Sequence, residues 1–474
     1  MKKKIGAILA AAAMACTMTV GVAFSGCGTA QIYDFVMPDG GYDGGKVTIT
    51  FANTTGKNLE DPINEAISRF NVIYPNITVK VDNSTKDWDE FSSKIGDQIQ
   101  VGKQPNVAFC YPDHVAFYNQ SNAVLALDDF LPGGAYEKMD DGVKKLCLTQ
   151  NEVDDYIPAF FKEGSAVFED GKTYTLPFAK STEVLFYNKT FFDANNLTPP
   201  TTWAEMEEVS KKITDIDKKC IAFGYDSEAN LFITLCEQYG SPYTSLEANN
   251  HFQFDNETNR DFVKMLKRWY DNRYMTTRAT YGEYSSNLFK DKKCYMSIGS
   301  TGGSSYQDPG SIDGSASFEV GVAPIPQVDP KNPRTILQGP SVCIFKKQNP
   351  QEVIASWLLI KFLTTEHEFQ GLYSEKSGYA PVTLSTFNSD AYQEFLSEAN
   401  ITSGLTARTA QICKNLAESK GEKGLDAFYT SPAFIGSSKA RQQVGTLLKT
   451  VLQGKDINQA FAEALEECRH FSGN

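Results

Sequence analysis

Apolar and polar positions alternate from Lys46 to Ala52, with Val47, Ile49 and Phe51 on one face, which predicts a strand ending in the polar turn Asn53-Thr54-Thr55-Gly56. Ile63, Ala66, Ile67, Phe70 and Ile73 then recur at helical spacing until Pro75 stops them, and Ile77 to Val81 reads as a second strand. Trp88, Phe91, Ile95 and Ile99 mark a second helix, ended by Gly102 and Pro105. Asn106 to Cys110 is a third strand running into Tyr111-Pro112-Asp113. Strands and helices alternating through short links predict an α/β fold, a parallel sheet with helices on its faces. Ligands gather at the carboxyl ends of such strands, where Thr54, Thr55, Tyr111 and Asp113 fall. Tyr111 could equally be a rim residue packed on Pro112.

The stretch Leu176 to Asn188 breaks this regularity. Leu176, Phe178, Val184, Leu185 and Phe186 suit a sheet covered on both sides, whereas Lys180, Ser181, Thr182 and Glu183 would be costly in a core without partners. A strand leaving one lobe and entering another keeps both halves satisfied and turns the polar middle toward a cleft; an edge strand with a solvated bulge would do so too. Ile336 to Phe345 repeats the design, apolar, then polar at Gln338 and Gly339, then apolar. Two such passages predict a hinged pair of lobes.

Elsewhere Thr202 and Glu205 have capping-box spacing, which makes Trp203 structural, and Trp269 holds a core position on the helix Arg260 to Tyr270. Cys294 to Ile298 is a strand running into Gly299-Ser300-Thr301-Gly302-Gly303-Ser304-Ser305-Tyr306. The N–H groups and hydroxyls of that run suit the oxygens of a polyol or phosphate, or form a plain flexible loop. It lacks a P-loop lysine and dinucleotide spacing. Phe318 to Ile325 alternates as a strand, Ala355 to Leu363 is a buried helix, and Lys376 to Val382 reads as an exposed turn with Tyr379 at its tip. Two helices, near Arg441 to Leu452 and Ile457 to Cys468, end the chain.

Length and composition fit two lobes: 474 residues, 41% apolar, exceed one ordinary core. The formal charge is −13; removing residues 1–26, which hold three lysines and no acid, leaves 42 basic and 58 acidic side chains, or −16. That balance excludes nucleic acid and an anionic membrane surface as partners that would need clustered Lys or Arg. Lys2 to Lys4 followed by apolar Ile5 to Phe24 reads as a secretory leader, and Phe24-Ser25-Gly26-Cys27 resembles a bacterial lipobox with Cys27 as the acylated residue. An uncleaved membrane helix is the alternative; either puts the globular part outside the cytoplasm. Residues 27–45, rich in Gly, Asp and Pro, read as a flexible tether. The eight later cysteines, at 110, 147, 220, 236, 294, 343, 413 and 468, permit disulfides or buried thiols.

These features resemble the extracellular solute-binding proteins of bacterial ABC importers, the group that includes maltose-binding and glycerol-3-phosphate-binding proteins. The resemblance is carried by Leu176 to Asn188 with Thr202-Trp203, the Gly299 to Tyr306 run, Gln338-Gly339 and Ser377-Gly378-Tyr379-Ala380-Pro381-Val382. It implies two α/β lobes joined by three passages, the third near Tyr379. One lobe would hold residues 46–180 and 339–380, the other 181–338 and 381–474. It implies ligand contacts at Thr54, Thr55, Tyr111, Asp113, Ser181, Glu183, Ser300, Thr301, Gly302, Ser304, Tyr306, Gly339 and Tyr379, with no cofactor and no metal. The implied function is capture of a carbohydrate or sugar-like polyol by a lipid-anchored monomer on the outer face of the cell membrane, for delivery to permease subunits. A glycerol-phosphate-type solute is the runner-up. The chain departs from both named subgroups: it has no tryptophan around the run after Gly299, and no arginine from Phe428 to Phe434.

Two other classes compete. A secreted hydrolase finds four histidines, no His-Glu-x-x-His helix, and a Gly339 to Cys343 run that misses a nucleophile elbow at its fifth position; a glycosidase carboxylate pair stays open. A surface adhesin would carry repeats, and the sequence has none.

Overall fold

The computed structural model describes residues 31–247, 249–310, 317–397, 401 and 404–472. The leader, Cys27 and the start of the tether lie outside the described residues. Among those that are described, no helix is long and apolar enough to cross a membrane.

Strands β1 (Val47–Ala52), β2 (Ile77–Asp82), β3 (Val107–Cys110), β4 (Leu176–Pro177) and β11 (Ser341–Ile344) make one five-stranded sheet in the order β2-β1-β3-β11-β4. The second comprises β5 (Glu183–Asn188), β6 (Ile221–Tyr225), β7 (Met275–Thr277), β8 (Cys294–Ser300) and β9 (Val320–Pro324), ordered β7-β6-β8-β5-β9. Strands reached through a helix on their own lobe pair in parallel: β1 with β2 and β3, β6 with β7 and β8. β5 and β11 arrive directly from the other lobe, with no crossover helix to turn the chain round, and pair antiparallel. Each sheet has its own apolar core, built around Phe51, Phe109 and Trp357 in the first and around Phe223, Phe232 and Trp269 in the second. The capping box at Thr202 forms, Thr202 Oγ1 accepting from Glu205 N–H at 3.1 Å, and Trp203 is buried behind it.

The lobes are joined where consecutive residues change core. Ala179 belongs to the first and Leu185 to the second; Ile336 to the second and Leu337 to the first; Phe428 to the first and Tyr429 to the second. The third passage is therefore β12 (Phe428–Tyr429), paired in parallel with β10 (Thr335–Ile336), and not the segment at Tyr379. Tyr379-Ala380 runs beside the first passage, Ala380 N–H donating to Lys180 O at 2.6 Å, and returns at once to Val382 in the first core. Among the described residues, 381–413 accordingly put Val382, Phe387, Tyr392, Leu396, Ala410 and Cys413 into the first core, later joined by Phe428 and Ala433; Tyr429 and the helices Ser437–Leu452 and Ile457–Ser472 contribute to the second. Local spacing marks Tyr379 as a loop tip but carries no information about which core lies on either side.

The polar middle of the first passage also differs from its reading. Lys180, Ser181, Thr182 and Glu183 are all buried, at 0 to 2% exposure, because each has a partner. Lys180 Nζ pairs with Glu163, itself buried, and donates to Ser341 Oγ at 2.8 Å and Gly339 O at 3.2 Å. Glu163 also accepts from Ser341 Oγ at 3.0 Å and from Thr430 Oγ1 at 3.3 Å, so one carboxylate touches all three passages. Thr182 Oγ1 donates to Ile336 O at 2.8 Å.

Residues 31–45 are no free tether. Phe35 stacks on Phe130 with centroids 6.2 Å apart, Met37 is buried in the first core, Gly40 N–H donates to Asp140 at 3.0 Å, and Gln351 Nε2 donates to Gly41 O at 3.0 Å. Two well-placed apolar side chains and satisfied backbone groups suffice to dock a stretch with no apolar period.

Glu163→Gln leaves the Lys180 ammonium buried without its counter-charge and is expected to cost about 3–5 kcal/mol, read from urea unfolding midpoints. Lys180→Met combined with Glu163→Leu should recover most of that loss, since it removes both desolvated charges together.

Candidate ligand-binding cleft

The carboxyl ends of β1 and β3, the passages and the end of β8 face one another. On the first lobe, Tyr111 follows β3 and caps the helix Pro112–Tyr118, half-buried, its ring 4.8 Å from Trp88, the first residue of the helix Trp88–Gln100. His114 packs against both rings and accepts from Tyr111 N–H at 3.5 Å through Nδ1. Burial holds the imidazole below its ordinary pKa, hence neutral at pH 7, and pushes the Tyr111 phenol well above its own. Tyr111 reaches across the floor, where Gly339 N–H donates to its Oη at 3.4 Å. Gly339 has φ +90°, and a Cβ there would lie 2.2 Å from Ala179 O, so both conformation and space require glycine.

The second lobe answers with a chain of buried polar groups. Glu183, the first residue of β5, accepts from Tyr225 Oη and from Asn230 Nδ2 at 2.8 Å, and Asn230 Oδ1 accepts from Arg441. The Arg441 guanidinium is half-buried, and its one hydrogen bond among the described residues is to Asn230. Burial drives the Glu183 carboxyl up to about 7, against those hydrogen bonds and the Arg441 charge.

The run after Gly299 is a 3-10 helix, Thr301–Gln307, with Ser300 as N-cap. Ser300 Oγ donates to Ser181 Oγ at 3.1 Å, and Gly302 lies under the Tyr379 ring so closely that a Cβ would sit 2.5 Å from it. Tyr379 is half-buried, not an exposed tip, and burial raises its phenol to about 12.

The sequence-derived residues thus divide. Tyr111, Ser181, Ser300, Gly302, Gly339 and Tyr379 come together at the floor. Thr54 is half-buried at the rim, Oγ1 donating to Lys86 O at 3.3 Å, and Asp113 is half-buried with Oδ1 accepting from His114 N–H at 3.0 Å. Tyr306 is 58% exposed at the mouth. Thr55, Thr301 and Ser304 are buried: Thr55 Oγ1 donates to Asn53 at 2.8 Å, and Thr301 N–H donates to Thr182 O at 2.8 Å. Ser304 Oγ lies 2.6 Å from where a Gly378 Cβ would stand. Glu183 backs the floor through Asn230. Sequence reasoning missed Trp88, His114, Asn230 and Arg441. Trp88 follows the N-cap Asp87, a strand-end signal of the kind used for Tyr111; Arg441 sits on an amphipathic helix and gives no local signal. The eight cysteines are free and buried, and no acid, His or Cys cluster fit for a metal exists among the described residues.

This arrangement of two α/β lobes, three passages and an aromatic and polar gap is that of a solute-binding protein. The sequence signature of the bacterial extracellular solute-binding proteins matches residues 65–396, and the chain belongs to that family. Among its relatives, the maltotriose-binding protein of Pyrococcus abyssi is 22% identical over 300 residues, 61% of this chain and 57% of that protein. The chain thus spans a little over half of that relative. The sn-glycerol-3-phosphate-binding periplasmic protein UgpB of Escherichia coli is 24% identical over 373 residues, 73% of this chain and 77% of that one. UgpB from Mycobacterium tuberculosis, solved with glycerophosphocholine, superposes with a TM-score of 0.72 at 18% identity, covering 90% of this chain and 99% of that one. An ABC substrate-binding protein from Listeria monocytogenes, solved with cycloalternan, gives 0.71 at 17%, covering 90% and 99%.

Because the folded Glu183 carboxyl keeps its proton to higher pH than the unfolded one, its contribution makes stability fall as pH rises from the ordinary 4.5 to about 7, then level off. Glu183→Gln is expected to flatten that fall, read from urea midpoints across the interval.

Proposed function

We propose that the chain captures a carbohydrate or sugar-like polyol between its lobes and delivers it to ABC permease subunits. In this reading it works as a monomer held on the outer face of the cell membrane through an acylated Cys27. The observation that carries the reading is the pairing of the Trp88 and Tyr111 rings on one wall with Ser300 and Arg441, the latter held by the buried Asn230, on the other. Rings take the C–H face of a sugar while hydroxyl and guanidinium groups take its oxygens. Micromolar capture needs about −8 kcal/mol, which stacking and a few charge-assisted hydrogen bonds supply after the cost of closure. Ligand would act by favouring the closed form. Binding without catalysis accords with relatives and neighbours that are named for what they bind.

One observation favours the second reading, a phosphate-bearing glycerol-type solute. Arg441 supplies from the next helix the cation absent from Phe428 to Phe434, and it has no ion pair among the described residues.

Thermal shift with maltotriose and with glycerol 3-phosphate tests both readings. A ligand of the native form raises the melting temperature, and unchanged sugar by chromatography separates capture from hydrolysis. Tyr111→Ala is expected to weaken the bound solute at least about tenfold, the loss of one stacking contact and its hydrogen bond, without lowering the ligand-free melting temperature by more than a few degrees. Arg441→Met should abolish binding of the phosphate ester and weaken a neutral sugar by only about tenfold, the loss of one hydrogen-bonding group. No shift with any sugar or phosphate ester, or product released from the sugar, overturns the proposal.

A further inference from the structure

Two charged side chains of the first passage are closed off from water, and their surroundings treat them differently. Lys180 has a carboxylate in contact, whereas Glu183, 2% exposed, has no ion pair among the described residues. Its oxygens are met by neutral groups, Tyr225 Oη on Oε2 and Asn230 Nδ2 on Oε1, the latter at 2.8 Å. A carboxylate buried without a counter-charge tends to keep its proton. The contact with Tyr225 serves both states, because a phenol donates to a carboxylate and accepts from a carboxylic acid.

The elements packed round Glu183 bring charges of both signs. β6 runs from the Tyr225 phenol into Asp226, whose Oδ1 accepts from Ser285 N–H and Oγ, each at 2.7 Å. Asp226 Oδ2 stands 2.9 Å from where a Cβ on Gly299 would lie. Gly299 and Ser300 pair with Val184 and Glu183, so the two acids border one strand pair. β9 meets Val184 through Pro324 and adds no charge. β12 adds the Tyr429 phenol, which donates to Thr234 Oγ1 at 2.8 Å. The one cation comes from the helix Ser437–Leu452: Arg441 reaches Glu183 through Asn230. That helix packs against Pro112–Tyr118 of the first lobe, where burial keeps His114 neutral.

Asn230 is held at both ends, its Oδ1 by Arg441 and its Nδ2 by Glu183, and both bonds are available whether or not Glu183 carries a proton. Losing that proton therefore leaves the guanidinium in place and changes only the charge behind it. With the carboxyl at about 7, that change falls near neutral pH.

We propose that Glu183 is a specificity-determining residue that acts through Arg441: protonated, it leaves the guanidinium charge open to an anionic solute, and ionised, it answers that charge through Asn230 and loosens the anion. The inference rests on the phosphate-ester reading of the cleft. Anion and proton then favour each other's binding, so affinity for the ester drops as Glu183 ionises. Calorimetry of the mature chain with glycerol 3-phosphate at about pH 5.5 and about pH 8.5, wild type beside Glu183→Gln, tests this. The amide stands in for the protonated acid, and titration of the ester itself is common to both chains. Glu183→Gln should match wild type at the lower pH and bind the ester about tenfold more tightly at the higher. A role in holding the site together would instead weaken binding. Maltotriose should show no such gain. Tyr225→Phe removes a donor to the carboxylate, so the pH at which ester affinity drops should move upward. Equal ester affinities at the higher pH, weaker binding by Glu183→Gln at both, an equal gain for maltotriose, or an unmoved midpoint in Tyr225→Phe overturns the role of Glu183 and leaves the phosphate reading standing. No binding of the ester at either pH overturns that reading and this one together, and maltotriose then decides sugar capture by itself.

Discussion

A lysine ammonium with no exposure to solvent sits where the three passages between the lobes meet. Its carboxylate comes from Glu163, outside all of them. Desolvating two charges costs more than one ion pair returns unless the remaining lone pairs and protons are also used. Here they are: Lys180 reaches Ser341 and Gly339, while Glu163 takes Ser341 and Thr430. The pair therefore does more than neutralise itself. It sets the register of Ala179–Glu183 against Gln338–Ser341 and of both against Phe428–Thr430, because a slip in any strand would leave a buried charge short of a partner.

The cleft inherits its geometry from that registration. Ser181 and Gln338 exchange backbone hydrogen bonds at 2.9 and 2.8 Å one residue from the ion pair, and Gly339 meets Tyr111 on the next. Glu183, three residues along from Lys180, begins the polar chain through Tyr225 and Asn230 to Arg441. The first passage thus carries a structural lysine and a site-supporting glutamate on a single short run, one facing each lobe. Capture by closure, as proposed, needs walls that are rigid and a joint that can bend. Two separate cores with only short strands between them provide both.

Residues 31–45 lie docked on the first lobe. The strap is held there by Phe35, Met37 and the hydrogen bonds to Asp140 and Gln351, so it moves with that lobe. Family membership fixes the class of protein, and its similar relatives bind solutes as different as maltotriose and glycerol 3-phosphate. In the capture reading proposed above, discrimination among such solutes falls to side chains such as Arg441 and Trp88, which the shared fold does not specify.

What the sequence by itself determined is whatever rests on neighbours within a turn or a strand. Alternation at Val47, Ile49 and Phe51, the helical recurrence from Ile63 to Ile73 and the Thr202–Glu205 capping box are local, and the corresponding strand, helix and cap are present in the structure. The interrupted apolar runs at Leu176–Asn188 and Ile336–Phe345 were legible as passages because a polar insertion in a buried strand demands an explanation. Only the tertiary structure decided what the insertion does: Lys180 is silenced by a carboxylate 17 residues away and a serine 161 away. It also moved the third passage to Phe428–Tyr429, docked the strap, and brought Arg441 opposite Tyr111. Each of these depends on partners distant in sequence, and spacing along a chain records periodicity but not which distant group will arrive to satisfy a buried charge.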